Sequence, residues 1–440
     1  MYKRLLGGLL GGLILIFILS SCQPTPDQES VISKADDYLA VANEDTTETF
    51  SAPSEYKKEY DQNAKVLVCF DATVSYNTGP YPILRVLPRK FSETELLSIC
   101  NYLQPNVPIY EETDDTKAEI MEQLTSLQTY NGDLGGFVDL SETEELQQEL
   151  TERWNAASGE PTLSPYVFRK TDDMQLYPAS GLTEDGFICS FMMNLGSNQF
   201  AYLRQRNTFI CPASGLAPTI AVEEPVVDQA NAQKAALEFV DQFGNESYAL
   251  TDSEKALVVR FFSRKETAWR FVFLRKVNGI ETIRQSPSVR LDTNSLPSVG
   301  APWPPELIII DVDSKGILSV QWTGAAIVSG VIVENSHFES FETIASRFEK
   351  QIFYQLAGQD VGVDYRFLVK CKQINLRYGL LPEKDDDSSG RYVPIWEFVY
   401  DFGFENDTEE EMNEEVMYFN AIDGSYVEPR VTNAFLMSLT

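Results

Sequence analysis

The sequence predicts an α+β protein, with an N-terminal α+β domain followed by two related modules that each pack a helix on an antiparallel sheet. The hydrophobic fraction of 43%, with 26 Phe and 20 Tyr among 440 residues, indicates packed cores rather than disorder. Segments with helical periodicity alternate with short runs of β-branched and aromatic residues. A tryptophan-centred motif also occurs twice in the second half of the chain, which indicates duplicated modules.

The first residues have the layout of a secretory signal peptide. Lys3 and Arg4 form a positive head, an apolar run follows from Leu5 to Leu19, and two serines precede Cys22. This order predicts that residues 1–21 are removed and do not belong to the fold. A stable transmembrane span needs about 20 apolar residues, so the run is short for one, and an uncleaved anchor helix is the alternative.

The end of this segment, Leu19-Ser20-Ser21-Cys22, resembles the lipobox of bacterial lipoproteins. That resemblance implies that Cys22 is S-acylated, for instance with palmitate, and becomes the new N-terminus. It further implies a protein held by lipid on the extracytoplasmic face of the cell membrane, in a Gram-positive cell. Residues 22–60 are polar and acidic and predict a flexible tether, with a short helix around residues 32–42.

Residues 61–220 predict the N-terminal α+β domain. Strands are expected at Lys65–Ser75 and Tyr81–Arg89. A helix is expected after Ser92, because Glu95 completes a capping box with it. The further helices and β-like runs expected in this domain are Asp115–Gln128, Ser141–Ala157 (with a second capping box, Ser141 and Glu144), Tyr166–Arg169, Gly186–Met193 and Gln199–Ile210.

The two predicted modules, 225–325 and 335–430, follow a Pro-containing linker. Trp269-Arg-Phe-Val-Phe in the first corresponds to Trp396-Glu-Phe-Val-Tyr in the second. The remaining matches are a helical segment, an apolar residue followed by Arg and an aromatic, and a strand that ends at a Gly turn. The helical segments are Asp228–Phe243 and Phe338–Leu356. The Arg-containing motifs are Val259-Arg260-Phe261 and Leu376-Arg377-Tyr378, and the Gly turns are at Gly316 and Gly424. Each module therefore predicts the order helix, strand, strand, strand.

The end of the second copy, from Tyr418 to Val427, looks like PepSY-type modules and is similar to the strand pattern of the extracytoplasmic YycH and YycI regulators. The chain also resembles uncharacterised Gram-positive lipoproteins with a three-part layout. PepSY-type modules are associated with inhibition or regulation at the cell envelope, so the resemblance implies a binding role. It implies no catalytic residues, because the shared motif consists of packing and turn residues.

The charge balance restricts the partners. The chain has 35 basic and 66 acidic residues and a net charge of −31, which would become −33 on loss of the two basic residues of the leader. Nucleic acid is a poor partner, because phosphate binding depends on clusters of Lys and Arg. Anionic lipid headgroups should also repel the body, so the membrane contact is expected through the lipid on Cys22 alone. A basic partner surface would be attracted, with salt-sensitive association.

No catalytic, cofactor-binding or metal-binding residue is predicted, and no cofactor. Apart from Cys22, five widely spaced cysteines remain without a C-x-x-C motif, which favours buried free thiols, although a Cys189–Cys211 bridge is an alternative. His337 is the single histidine, which excludes H-E-x-x-H chemistry and favours a surface or capping role. No Gly-rich phosphate loop and no G-x-S-x-G motif is present.

Four other segments are candidate sites. Asp311-x-Asp313 resembles the start of a calcium loop, but Lys315 stands at the third ligand position and Trp322 at the twelfth, so a β-turn is predicted. The acidic runs Asp385–Asp387 and Glu405–Glu411 predict solvated hairpin loops, with weak calcium binding as the alternative. Ala301–Pro305 predicts a stiff loop packed on its own domain, or an extended segment that docks in an aromatic groove.

The function expected from these observations is a non-enzymatic binding or regulatory module of the cell envelope that contacts another protein or a peptide. Lipid anchoring raises the effective concentration next to membrane partners. The alternatives are capture of a solute or a cell-wall fragment, and a hydrolase that uses two carboxylates alone.

Overall fold

In the computed structural model, the described residues are Leu39, Ala42 and 50–427, with gaps at 64, 130–142, 158–162, 172–174, 217–219, 245–246, 262–263, 284–302, 357–364, 384–385 and 409–410. The predicted signal peptide and Cys22 lie outside these residues. Of the predicted helix around residues 32–42, only Leu39 and Ala42 are described, and both are helical. Within the described residues, no helix combines the length and the apolar character that a membrane crossing needs.

The architecture is α+β, as the sequence predicts. The α-helices are α1 (Glu93–Leu103), α2 (Lys117–Thr129), α3 (Thr143–Ala156), α4 (Gln229–Phe243) and α5 (Phe341–Leu356). The strands are β1 (Glu55–Asn63), β2 (Val66–Ser75), β3 (Ile83–Pro88), β4 (Ile109–Glu111), β5 (Tyr177–Leu182), β6 (Ile188–Met193), β7 (Phe200–Leu203), β8 (Thr208–Pro212), β9 (Tyr248–Arg260), β10 (Arg264–Val277), β11 (Ile280–Glu281), β12 (Leu307–Asp313), β13 (Gly316–Thr323), β14 (Ala326–Val333), β15 (Phe367–Glu383), β16 (Asp386–Phe404), β17 (Asn413–Asn420) and β18 (Tyr426–Val427).

The described residues form two compact units that are not consecutive in sequence. The first unit contains the residues up to Arg85 and those from Gly330 onward, and the second contains those from Val86 to Ser329. The chain therefore leaves the first unit within β3 and returns to it within β14. This division differs from the three consecutive segments 61–220, 225–325 and 335–430 expected from the sequence.

The first unit packs helix α5 against a sheet in the order β1-β2-β15-β16-β17-β18, and β3 pairs with both β16 and β14. Strands β2 and β15 are parallel and far apart in the chain, which is why the N-terminal strands belong to the C-terminal module. Phe348 of α5 lies at the centre of the core, with its ring 4.7 Å from that of Phe398 and 5.4 Å from that of Phe70.

Strand β1 corrects the end of the flexible tether predicted over 22–60, because Glu55–Tyr60 pairs antiparallel with β2. Tyr56 and Tyr60 lie on one face of this strand, and their rings lie 5.1 Å and 5.8 Å from that of Phe70. Side chains alternate between the two faces of a strand, so residues four apart share a face. The spacing of Tyr56 and Tyr60 is therefore the sequence signal for this strand.

The second unit is a sheet in the order β4-β5-β6-β7-β13-β12-β10-β9-β8, with β11 beside β10. Helices α1 and α4 contribute Leu96, Ile99 and Phe239 to its main core. Helices α2 and α3 pack on each other around a smaller cluster of Ile120, Leu127 and Leu150. The predicted strand Tyr166–Arg169 is instead a loop between two isolated bridges.

One of the two predicted capping boxes lies in the described residues, and it is confirmed. The Ser92–Glu95 capping box is present at α1, and Asp228 caps α4 by accepting a bond from the Asn231 amide. A third box, not predicted, begins α2: the Glu119 amide donates to Thr116 Oγ1 at 3.1 Å, and the Thr116 amide donates to Glu119 at 3.0 Å. Ser141 lies outside the described residues.

The two repeated tryptophans occupy equivalent positions. Each lies in the central strand of a three-stranded meander and faces the penultimate residue of the following strand. Trp269 lies opposite Val312 in β12, and Trp396 lies opposite Phe419 in β17. Each also lies near the start of the preceding helix. Trp269 Nε1 donates to the Val227 carbonyl at 3.0 Å, and the Trp396 ring lies 5.5 Å from that of Phe341.

The upstream part of the repeat is not equivalent. Leu376 in the middle of β15 lies opposite Trp396, whereas Lys255 lies opposite Trp269. Val259 and Arg260 instead end β9 at its hairpin turn. The hairpin of the second module is longer than that of the first. The short motifs at Val259 and Leu376 therefore match in sequence but lie at different positions in their strands.

Candidate functional site

Both aspartates of the calcium-like motif form ion pairs with arginines. Asp311 is fully buried and receives two bonds from Arg270, at 2.8 Å and 3.0 Å, and one from Ser319 Oγ at 2.5 Å. Asp313 contacts Arg204, and it lies 3.4 Å from Arg260. The segment is the β12–β13 hairpin that the sequence predicted, and these carboxylates hold strands together.

Most other buried carboxylates that the structure describes also contact an arginine. Glu119 bonds Arg206 at 2.9 Å, Glu306 bonds Arg275 at 3.0 Å, and Glu397 bonds Arg377 at 3.2 Å. A buried ion pair is costly to break, because removal of one partner leaves an uncompensated charge. These five acids therefore have structural roles. In the described residues, no group of three or more His, Cys, Asp or Glu is arranged to hold a metal ion.

Glu349 on α5 is the exception. Its side chain is buried, and no ion pair is formed with it among the described residues. Burial raises the pKa of this carboxyl, and the nearby positive charges of Lys58 and Lys350 partly oppose that rise. A single carboxyl facing lysines is not the facing pair of carboxyls that a glycosidase uses.

The five described cysteines are free thiols, so the alternative Cys189–Cys211 bridge does not form in this structure. Cys100, Cys189 and Cys371 are buried, and Cys69 and Cys211 are half-buried. Burial raises the pKa of Cys189 to about 12 and that of Cys100 and Cys371 still further. A thiol with a raised pKa is a poor nucleophile, because the thiolate is the reactive form.

The remaining sequence candidates are loops or packed segments. Trp303 is buried, which agrees with a stiff loop packed on its own domain. His337 is half-buried before α5, but Ser340 supplies the cap by accepting a bond from the Thr343 amide at 3.2 Å. Of the acidic runs, Asp386 begins β16 directly opposite Glu383 in a hairpin, and Glu405 and Asn406 form a turn. Asp385, Glu409 and Glu410 lie outside the described residues.

The surface feature with the clearest chemistry is an unprotected sheet edge. Exposed strand edges recruit other strands, and proteins normally shield them with charges, prolines or very short strands. Among the described strands, β1 is an edge rich in Lys and Glu, and β8 ends at Pro212. Strands β4, β11 and β18 are edges of two or three residues.

Strand β14 has none of these protections. It is eight residues long, reads Ala-Ile-Val-Ser-Gly-Val-Ile-Val, and pairs only with β3 among the described strands. Ile327 and Val328 are 39% exposed and Val331 is 49% exposed, so apolar side chains on both faces of the strand reach solvent. A Cβ atom added to Gly330 would meet no other atom within 4 Å.

This edge can accept an extended segment of another chain. Strand addition takes affinity from main-chain hydrogen bonds and specificity from side chains that alternate between the two faces. No sequence motif marks this site. Its only signal was the uncharged run from Ala325 to Val333, and such a run is typical of a buried strand rather than an edge.

Comparisons with known proteins assign no family. No family model matches the chain, and no curated protein matches it. Among solved structures, an uncharacterised protein from Eubacterium rectale is 13% identical with a TM-score of 0.42, and the match covers 89% of this chain and 97% of that one. The C-terminal domain of YpeB from Bacillus megaterium is 10% identical with a TM-score of 0.30, covering 77% of this chain and 96% of that one. At these TM-scores neither match assigns a fold family or a function to this chain.

Proposed function

We propose that this protein is an envelope lipoprotein, anchored through Cys22 on the extracytoplasmic face of the membrane, that binds a protein partner without catalysis. The observation that carries the binding role is the open, uncharged edge of β14. The partner adds a strand to this edge. The lipobox and the PepSY-like ending of the sequence support the location and the regulatory character.

The alternatives have less support. A hydrolase would need two facing carboxyls that are free to act, and five of the six buried acids in the described residues are bound to arginines. Capture of a solute or a cell-wall fragment has no specific observation in its favour. Strand addition explains why an apolar edge is left exposed, whereas neither alternative does.

The anchor is tested by Cys22→Ala in the full chain. We expect the variant protein to accumulate as unprocessed precursor or to be released from the membrane, because the acylated residue is missing. Fractionation of cells followed by gel mobility measures both outcomes. If the variant keeps the membrane retention and the mobility of the parent protein, lipidation at Cys22 is excluded.

The binding edge is tested by site-specific photo-crosslinking on intact cells. A photoreactive amino acid replaces Val331 in β14 or, as the matched control, Phe209 in β8, which is 48% exposed and also lies on an edge strand. We expect discrete protein adducts from position 331 and none from position 209. Adducts absent at 331, or equally strong at both positions, would overturn the proposed function.

A further inference from the structure

We infer that strand β1 is a pH-sensitive strap of the first unit, which closes more tightly when Glu349 is protonated than when it is ionised. The strap is an edge strand other than β14, so this inference does not depend on the proposed function. Among the described strands, β1 pairs only with β2. A strand with hydrogen bonds on one side alone opens more easily than the central strands of its sheet.

Two tyrosines attach the strap to the core. The Tyr56 ring lies 5.1 Å from that of Phe70 in β2 and 5.2 Å from that of Phe341 in α5. The Tyr60 ring is buried and lies 5.8 Å from that of Phe70. Lys58 lies between the two tyrosines on the same face of the strand, with Nζ 4.6 Å from the centre of the Tyr60 ring. The face of β1 that packs on the unit is therefore two aromatic rings and one lysine.

Glu349 on α5 is covered by this face of β1. Its side chain is 6% exposed, and no hydrogen bond or ion pair is formed with it among the described residues. Burial raises the pKa of Tyr60, and the charge of Glu349 raises it further, so the carboxyl lies close to the strap. A buried carboxylate without a partner is costly, whereas the protonated carboxyl is much less so.

The charged groups that face Glu349 belong to two elements. Lys58 of β1 and Lys350 of α5 are both exposed to solvent, and Phe70 of β2 is apolar. Burial raises the pKa of Glu349, and the two lysines oppose that rise only in part. Exposed lysines are weak counter-charges, because water screens them. The ionised carboxyl therefore remains unfavourable under a closed strap.

The direction of the pH effect follows from linkage. Opening of the strap returns the Glu349 carboxyl to water and its pKa toward 4.5. Closure is therefore most favourable below pH 4.5 and weakens as the pH rises through the raised pKa. Opening uncovers one side of Phe70 and the edge of β2, and it adds the nine residues of β1 to the chain between Cys22 and the body.

The test is hydrogen exchange of the full chain from about pH 4 to about pH 8, corrected for the intrinsic pH dependence of exchange. We expect the opening constant of the β1 peptide to rise by about tenfold for each pH unit between the closed-state and open-state pKa values of Glu349. Peptides from β16 should change less. Glu349→Gln should remove the pH dependence in β1. The matched control Glu342→Gln, at an exposed position of the same helix, should retain it.

A second variant separates the charge effect from packing. Lys58→Gln removes a positive charge that opposes the raised pKa of Glu349, so the midpoint of strap opening should move to higher pH. A variant that only weakened packing would lower protection at every pH and leave the midpoint in place.

Three results would overturn the strap. They are an opening of β1 that does not change with pH, a pH dependence that survives in Glu349→Gln, and an equal change in the β16 peptides. If Glu349→Gln loses protection throughout the first unit, Lys58→Gln decides. An upward shift of its midpoint then supports the strap, and an unmoved or lower midpoint rejects it.

Discussion

Truncation of Trp396 to alanine tests both the core of the first unit and the duplicated modules. The indole is fully buried, and its ring lies 5.8 Å from that of Phe50, 5.5 Å from that of Phe341 and 6.4 Å from that of Tyr76. A buried aromatic of this size removes roughly 150–250 Å² from water, worth roughly 4–6 kcal/mol at about 25 cal/mol per Å². Measured Trp→Ala costs in cores are about 3–5 kcal/mol, and this is the loss of stability we expect.

The matched variants are Trp396→Phe and Trp269→Phe. Trp396 Nε1 has no hydrogen-bond partner among the described residues, so phenylalanine removes only packing there. Trp269 Nε1 bonds the Val227 carbonyl at 3.0 Å, so the same change should cost about 1 kcal/mol more through the lost bond.

Because the chain forms two units, unfolding is best followed locally. Hydrogen exchange in peptides from β16 and β17 reports the first unit, and exchange in peptides from β10 and β12 reports the second. Trp396→Ala should lower the protection of the β16 and β17 peptides by the full expected loss of stability, about 3–5 kcal/mol. A loss below about 1 kcal/mol, typical of a surface site, would refute the placement of this ring in the core.

Two further predictions follow from buried titratable groups. Burial raises the pKa of Glu349, so between 4.5 and that raised value the folded state holds more protons than the unfolded state and stability falls as the pH rises. Glu349→Gln should therefore raise the midpoint of urea unfolding at neutral pH, and this gain should disappear below pH 4.5. The control is Glu342→Gln on the exposed side of the same helix. An equal gain at both pH values, or a similar gain from the control, would contradict the reasoning. In native protein a thiol reagent should modify Cys69 and Cys211 before the three buried thiols, which should react only after unfolding, and mass mapping of early labels on Cys100, Cys189 or Cys371 would show that this part of the core opens.

Several elements were predictable because their signals are local. The capping box at Ser92 and Glu95 and the cap at Asp228 require only residues within one turn. The hairpin at Asp313 and Gly316 likewise depends on adjacent residues, and Gly316 has a φ of 103°, which other residues rarely adopt. The repeated tryptophans were also recognisable, since each is flanked by aromatics on alternating positions that face a helix.

The sequence by itself therefore determined the α+β class, the capping box that begins α1 and the tryptophan-centred meanders of the second half, whereas the lipid anchor at Cys22 stays a prediction. Only the tertiary structure decided that β1 and β2 join the C-terminal module, because the β2–β15 pairing links segments that no local pattern connects. The tertiary structure also decided that β14 lies at the edge of its sheet. An uncharged β-branched run is the same pattern whether a strand is buried at the centre of a sheet or open at its edge, and the difference depends on which strands lie beside it.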